Sequence, residues 1–235
     1  MLEKQQNGDF MKKYMDVLKK CPLFAGIEPD DLAGMLGCLG ASVIKTGRGQ
    51  VILAEGDPAD RIGIVLRGSV QVVREDYYGS RDLLAIVEPG QLFAEAFACA
   101  GVKSIPVSVI AAEESEIMLV GQHRALTRCG NACAFHDRLV GNLLQVVAAK
   151  NIVLNRKIEF MSQKTTAEKL MAFLLWQAKQ QGGSEFTIPY DRQELADYLG
   201  VERSAMSAEL SKLRRQGKIE YKKSWFRLKE GSNKG

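Results

Sequence analysis

The chain has 235 residues, of which 46% are hydrophobic and 26% are charged, as in an ordinary globular protein with room for two domains. No apolar run approaches the length of a membrane span, and the N-terminus has no secretory hydrophobic segment, so we expect a cytoplasmic protein with no membrane partner. Five scattered cysteines without a Cys-x-x-Cys pair argue against a disulfide framework and a metal site. Two histidines, no nucleophile motif and no phosphate-binding loop argue against an enzyme.

The net charge of +4 is concentrated near the C-terminus. Residues 212–229 contain eight lysines and arginines and a single acid, Glu220. Such a stripe favours a polyanionic partner over the alternative of a solvated basic tail.

Residues 40 to 120 read as short β-strands. Ile62, Ile64 and Leu66 alternate on one face. Further runs rich in branched residues occur at 83–87, 107–111 and 116–120. Glycines at 56, 68, 79, 90 and 101 mark reversals at a regular spacing, because tight turns need positive φ. This pattern predicts a compact antiparallel barrel or sandwich.

Residues 131–164 predict one long helix, because they contain no proline and one internal glycine. A heptad seam runs along it through Val140, Leu144, Val147, Asn151, Leu154, Ile158 and Met161. Asn151 in a core position favours a parallel two-stranded pairing with fixed register. A second stripe, expected to pack on the same chain, comprises Leu139, Leu143, Val146, Val153 and Phe160. Two stripes favour a dimer over a helix packed only on its own chain.

The C-terminal region predicts a winged helical domain. A helix at 165–183 precedes a short strand at 186–190, two short helices within 191–217 and a hairpin at 217–230. The spacing of Ala196, Gly200, Met206 and Leu210 is that of a helix-turn-helix, with 203–214 as the recognition helix.

Polar and basic side chains on this domain are the predicted DNA contacts. Hydroxyls and arginines suit base edges and phosphates, while lysines suit phosphates alone. The predicted contacts are Arg192, Gln193, Arg203, Ser204, Ser207, Ala208, Ser211, Lys212, Arg215, Lys222 and Lys223.

Three segments resemble the Crp/Fnr superfamily of bacterial transcription regulators: CPLFAGIEPDDL, AEGDPADRIGIVLRGSVQV and RQELADYLGVERSAMSAELSKL. The resemblance implies an α+β fold, with an antiparallel β-roll (a double-stranded β-helix) at 1–130, a long dimerisation helix at 131–163 and a winged helix-turn-helix at 164–235. It implies a homodimer on palindromic double-stranded DNA, with RNA polymerase as a further partner. Family members commonly read bases with arginine, glutamate and arginine; Arg203 matches the first, whereas Ser204 and Ala208 occupy the other positions, so we expect different inner bases.

Cyclic-nucleotide binders of this superfamily use a glutamate for the ribose and an arginine-serine pair for the phosphate. Glu95 matches the glutamate, but Ile105 and Pro106 occupy the arginine and serine positions, with Lys103 close by. Burying a phosphate charge without a cation is costly, so we predict an unidentified small-molecule effector other than cyclic AMP. Its expected pocket, between the roll and the start of the long helix, comprises Gly90, Phe93, Glu95, Phe97, Ser104, Leu139 and Leu143.

Other sensing chemistries of the superfamily fit less well. The first 37 residues offer only Cys21 for an iron–sulfur cluster, and both histidines, His123 and His136, follow the roll in which a haem ligand would lie. The alternative within the same architecture is a thiol switch at Cys99, Cys129 or Cys133.

Overall fold

The computed structural model describes residues 13–75, 81–127 and 134–229. The chain divides into two compact units, Met1–Ala149 and Lys150–Gly235, with the division inside the long helix. None of the helices in the described ranges is long and apolar enough to cross a membrane. The predictions made for Gly79, Cys129 and Cys133 lie outside the described residues.

The first unit is a two-sheet roll with helices on one side. One antiparallel sheet has the order β1-β8-β3-β6 and the other has the order β2-β7-β4-β5. Its strands are β1 (Ser42–Thr46), β2 (Val51–Leu53), β3 (Arg61–Arg67), β4 (Val70–Glu75), β5 (Arg81–Val87), β6 (Leu92–Phe93), β7 (Ser108–Ala111) and β8 (Ser115–Gly121). Its helices are α1 (residues 13–20), α2 (Pro29–Cys38), α3 (Glu95–Ala100), α4 (Gln122–Leu126) and the first part of α5 (Ala134–Met161).

The interior of the roll depends on one close approach. A Cβ on Gly63 in β3 would lie 2.0 Å from the ring of Phe93, so the absence of a side chain there makes room for the aromatic ring. Gly68, at φ +77, turns β3 into β4 where a Cβ would meet Ser115. These observations confirm the predicted antiparallel roll with glycine-marked reversals.

Strand β3 is buried on both faces, beyond the single apolar face that its alternation predicts. Ile62, Ile64 and Leu66 belong to the hydrophobic cluster beneath the helices, and Val65 faces the roll interior. The helical cover includes Leu18, Leu23, Leu32, Leu36, Leu139, Leu143 and Val146. The first part of the long helix therefore serves as a wall of the core of this unit.

The N-terminal helix α1 is joined to the roll through a buried carboxylate. Tyr14 Oη donates to Glu116 Oε2 at 2.5 Å, and Lys13 Nζ lies 2.7 Å from the same oxygen. These bonds lower the pKa of Glu116, with the Lys13 contact the largest cause.

The second unit is a small helical domain with a three-stranded sheet of order β10-β11-β9. Its elements are the rest of α5, α6 (Thr166–Gln181), β9 (Glu185–Thr187), α7 (Arg192–Leu199), α8 (Arg203–Arg215), β10 (Ile219–Lys222) and β11 (Trp225–Leu228). The predicted helix-turn-helix and hairpin are confirmed, and β9 adds a third strand by pairing with β11.

Capping residues set the ends of these helices. Glu168 N donates to Thr165 Oγ1 at 3.2 Å and Glu194 N donates to Asp191 Oδ1 at 2.9 Å; in each capping box the glutamate bonds back to the N-cap amide. Helix α7 ends at Leu199, and its C-cap Gly200, with a φ of +61, begins the turn into α8.

The two stripes of the long helix have different environments. Phe160 is buried against Phe173, and Leu139, Leu143 and Val146 are buried, as expected of the second stripe. Val153 was assigned to that stripe wrongly, because its side chain is 60% exposed. The seam residues are mostly exposed in the single chain: Val140, Leu144, Asn151, Leu154, Ile158 and Met161 are exposed and Val147 is half-buried.

Candidate nucleic-acid interface

Helix α8 has one buried and one solvent-facing side. Met206, Leu210 and Leu213 are each at most 4% exposed, so they fix the helix on the core of the domain. Its predicted DNA contacts are all exposed: Arg203, Ser204, Ser207, Ala208, Ser211, Lys212 and Arg215. The helix therefore presents hydroxyl and basic groups without giving up any of its core contacts.

A cleft lies where α7 begins, α8 begins and the β10–β11 turn approaches. It has a volume of about 640 Å³ and is lined by Tyr190, Asp191, Arg192, Gln193, Arg203, Lys223 and Ser224. Four of the predicted contacts, Arg192, Gln193, Arg203 and Lys223, thus converge on one concave surface. Backbone amides at a helix start attract phosphate oxygens, and the three cations add to this attraction.

Arg192 connects α7 to the hairpin. Its Nη2 donates to the carbonyl of Lys223 at 2.8 Å, and its guanidinium stacks 4.9 Å from the ring centroid of Tyr221 and 5.2 Å from that of Phe226. Burial lowers the pKa of Arg192. Arg192 therefore holds the β10–β11 hairpin (the wing, residues 219–228) against α7 and is also a candidate DNA contact.

Lys223 adopts a backbone conformation that favours glycine, with φ +52. It occupies the two-residue turn between Lys222 and Trp225, which pair across the hairpin. Ser224 anchors the turn, because its Oγ donates to the carbonyl of Tyr190 at 3.1 Å. Tyr190 and Ser224 were missed by the sequence analysis, since neither is basic and neither lies on the recognition helix.

Several predicted contacts already have partners within the domain. Ser211 Oγ donates to the carbonyl of Ser207 at 3.0 Å, and Gln193 Nε2 donates to Asp197 Oδ1 at 2.8 Å. Lys212 Nζ lies 3.3 Å from Glu209 Oε1 in an exposed pair. Such exposed interactions are weak enough to exchange for DNA contacts.

The basic stripe is partly neutralised at its C-terminal end. Arg227 lies 2.7 Å from Glu185 and 3.2 Å from Glu220, and Lys229 lies 2.7 Å from Glu220. The hydrogen bond from Lys229 is the largest cause of the lowered pKa of Glu220. Arg227 and Lys229 are therefore paired with acids, and the remaining positive charge lies mainly on α8 and the hairpin turn. The count of charges within residues 212–229 misses this, because Glu185 lies on β9, outside that range.

The predicted effector pocket is not gathered into one place. Phe93 and Phe97 contribute to the roll interior, whereas Leu139 and Leu143 belong to the cluster beneath the helices. Ser104 is exposed, and Gly90 is a buried turn residue at φ +85. The prediction combined residues of two hydrophobic clusters, because sequence alone does not show which face of the sheet the long helix covers.

Glu95 is the first residue of α3 and is 3% exposed. The preceding residue, Ala94, adopts φ +61, a left-handed conformation that favours glycine. Ile105, at the position of the family arginine, is 2% exposed and packs in the roll interior. The site therefore keeps the family glutamate next to a strained alanine. At the position of the phosphate-binding arginine it has the apolar side chain of Ile105.

The thiol of Cys99 is poorly suited to a redox sensor. It lies on α3 and is half-buried. Burial, with a smaller contribution from Glu95, raises its pKa and so disfavours the reactive thiolate.

Both units of the chain resemble domains of known proteins. Residues 43–129 match a family model described as a cyclic nucleotide-binding domain, and residues 168–230 match a Crp-like helix-turn-helix domain. The chain is 24% identical over 219 residues to the CRP-like cAMP-activated global transcriptional regulator of Mycobacterium tuberculosis, covering 91% of each chain. It is 26% identical over 172 residues to the nitrogen fixation regulation protein FixK of Rhizobium meliloti, covering 73% of this chain and 74% of the relative.

A solved structure shows the same fold. The c-di-GMP responsive global regulator CLP of Xanthomonas campestris aligns with a TM-score of 0.55 and 17% identity, covering 85% of this chain and 100% of that chain. The roll, the winged helix-turn-helix and both family matches lead to one assignment. The chain is a DNA-binding transcription regulator with a cyclic nucleotide-binding domain, and it belongs to the Crp/Fnr family.

Proposed function

We propose that this chain regulates transcription as a homodimer that reads a two-fold DNA site with one α8 in each half-site. The observation that carries the proposal is the division of α8, whose apolar residues are buried while Arg203, Ser204, Ser207 and Ala208 face solvent at its N-terminal end. The N-terminal residues of a recognition helix are the ones that reach base edges in the major groove. Lys212, Arg215, Lys222 and Lys223 would neutralise phosphates.

The exposed seam of α5 supports the dimer. Leu144, Leu154 and Ile158 are 69%, 59% and 62% exposed in the single chain. Apolar residues repeating along one helix face favour burial against an identical helix. A two-fold dimer then predicts half-sites about 34 Å apart, one turn of DNA. RNA polymerase is the further partner that this family assignment suggests.

We propose further that an effector binding in the roll is not cyclic AMP, although one relative is named for activation by it. Ile105 is buried and apolar where the family arginine would meet the cyclic phosphate. Without that cation, bringing a phosphate charge into the roll costs several kcal/mol.

Selection from random duplex DNA by the reduced, ligand-free protein tests the central proposal. Enrichment of a palindrome is the expected result, either by the free protein or once a small-molecule cell extract is present. Adding cyclic AMP alone is expected to leave the enrichment and the affinity unchanged. A sequence without two-fold symmetry, or the lack of any enrichment in both arms, contradicts the DNA-reading dimer.

An oxidised arm of the same selection tests the thiol alternative. The raised pKa of Cys99 weakens that alternative at the described cysteine. We therefore expect oxidant to leave the DNA affinity of the unmodified chain unchanged; a change in affinity that Cys99→Ser abolishes would contradict this.

A further inference from the structure

The outer face of α8 has short side chains between its two basic ends. From Arg203 to Lys212, the exposed positions in between hold only serine and alanine: Ser204, Ala205, Ser207, Ala208 and Ser211. Glu209, the single acid of the helix, pairs with Lys212 at 3.3 Å, and its other carboxylate oxygen is buried. The short side chains therefore let the helix lie close to the base edges of a major groove.

Ala208 lies near the centre of this outer face. Met206, Leu210 and Leu213 form the buried stripe of α8. At about 100° per residue, Ala208 projects about 15° from the direction opposite that stripe, whereas Ala205 projects about 75° from it. When the outer face of α8 enters a major groove, the Ala208 methyl therefore faces the base edges and the Ala205 methyl faces the side of the groove.

The hydrogen-bond donors that follow Ala208 along the helix are already used within the domain. Ser211 Oγ donates to the carbonyl of Ser207 at 3.0 Å, and Lys212 pairs with Glu209. A base contact by either donor has to replace one of these interactions, whereas the Ala208 methyl is available without any rearrangement. The surface around Ala208 is therefore suited to an apolar contact.

The major-groove edges of the bases contain one apolar group, the C5 methyl of thymine, among hydrogen-bond donors and acceptors. An alanine methyl placed against a donor or acceptor would remove water from that group without replacing its hydrogen bond. Placed against the thymine methyl, it buries apolar surface on both partners. Thymine is therefore the base that Ala208 favours.

We propose that Ala208 specifies one thymine in each half-site, through contact between its Cβ methyl and the C5 methyl of that base. The inference rests on the proposed function, because it requires α8 to lie in the major groove. It adds the identity of one base pair, which lies beneath the middle of α8 and differs from the pair read by Arg203 at the N-terminal end of the helix.

Duplexes with deoxyuridine in place of thymidine test the proposal, because this change removes the C5 methyl and keeps every hydrogen-bonding group of the base. Each thymine of the selected palindrome is replaced in turn, in both half-sites together, and the affinity of the full chain is measured by fluorescence anisotropy. At one thymine per half-site we expect binding to weaken by about fourfold per half-site and about fifteenfold for the pair, as the loss of one methyl from an apolar contact implies.

Two glycine variants assign this effect to a residue. Ala208→Gly removes the protein methyl, so it should bind the thymine and uracil duplexes equally at that position. Ala205→Gly is the matched control, because both alanines are exposed within α8 and the cost to helix stability is similar. This control should keep the full preference for thymine.

A change of base pair separates the methyl from the rest of the thymine edge. In the unmodified chain, replacing the thymine by 5-methylcytosine should weaken binding about fourfold less per half-site than replacing it by cytosine. In Ala208→Gly the two replacements should weaken binding equally.

Three results would each overturn the inference. They are equal binding of all thymine and uracil duplexes by the unmodified chain, a full thymine preference at every position in Ala208→Gly, and loss of the preference in both glycine variants. A selected palindrome without a methyl effect that depends on Ala208 contradicts this inference alone. The lack of any selected palindrome contradicts the proposed function, and this inference with it.

Discussion

Arg203, the first residue of α8, is expected to specify a single base pair. Arg203 is exposed and borders the cleft with Lys223. Arg203→Ala should cost about 1–3 kcal/mol at one base pair and relax the preference there, because a bidentate contact to guanine is lost. Competition binding with the selected site and its single-base variants measures this. Arg74→Ala removes the same charge from the exposed Arg74–Asp82 pair and should leave the base preference unchanged.

Lys223 couples backbone strain to DNA affinity. Lys223→Gly should stabilise the domain by about 1 kcal/mol, because glycine adopts φ +52 without the Cβ conflict. The same change should weaken DNA binding and reduce the salt dependence by about 1 per subunit. Urea unfolding and a salt titration of affinity measure the two effects. Lys222→Ala, on the neighbouring strand residue, should reproduce the second effect alone.

Among the elements, the turn between α7 and α8 depends on one glycine. Gly200→Ala should destabilise the chain by about 1–2 kcal/mol, because φ +61 disfavours alanine and the new Cβ would approach Met161 Cε to 2.9 Å. Thermal unfolding measures this. Gly34→Ala, in the helical α2 with open space around it, should instead stabilise by about 0.5–1 kcal/mol. An unchanged or raised stability of Gly200→Ala would contradict the role of the turn.

Helices, strands and turns could be predicted from the sequence where the local residue pattern agrees with the packing in the fold. The Ala196–Leu210 spacing located the helix-turn-helix, and glycine spacing located the reversals of the roll. Tertiary information was missing elsewhere: β9 brings Glu185 beside Arg227, and α5 places Leu139 away from Phe93. Both depend on which surfaces meet in three dimensions, which periodicity does not encode.

The exposed seam of α5 predicts that dimer formation and affinity for a two-fold DNA site are linked. Leu154→Glu should raise the dimer dissociation constant by a factor on the order of 100 or more, because burying an unpaired carboxylate in the seam is costly. Affinity for a two-fold site should fall with it. Sedimentation equilibrium and DNA binding at the same concentrations check this. Gln145→Glu, exposed on the same helix and outside the seam, should leave the dimer intact.

The bond from Arg192 to the Lys223 carbonyl has a kinetic consequence. With its hairpin turn already tied to α7 and stacked on Tyr221 and Phe226, the wing does not have to order itself when it meets a phosphate. The conformational entropy of that turn is lost during folding, so ordering the turn does not reduce the free energy of DNA binding. Electrostatic steering should then set the association rate constant with DNA. Loosening the hairpin by removing the Arg192 bond should lower the association rate constant and raise the dissociation rate constant.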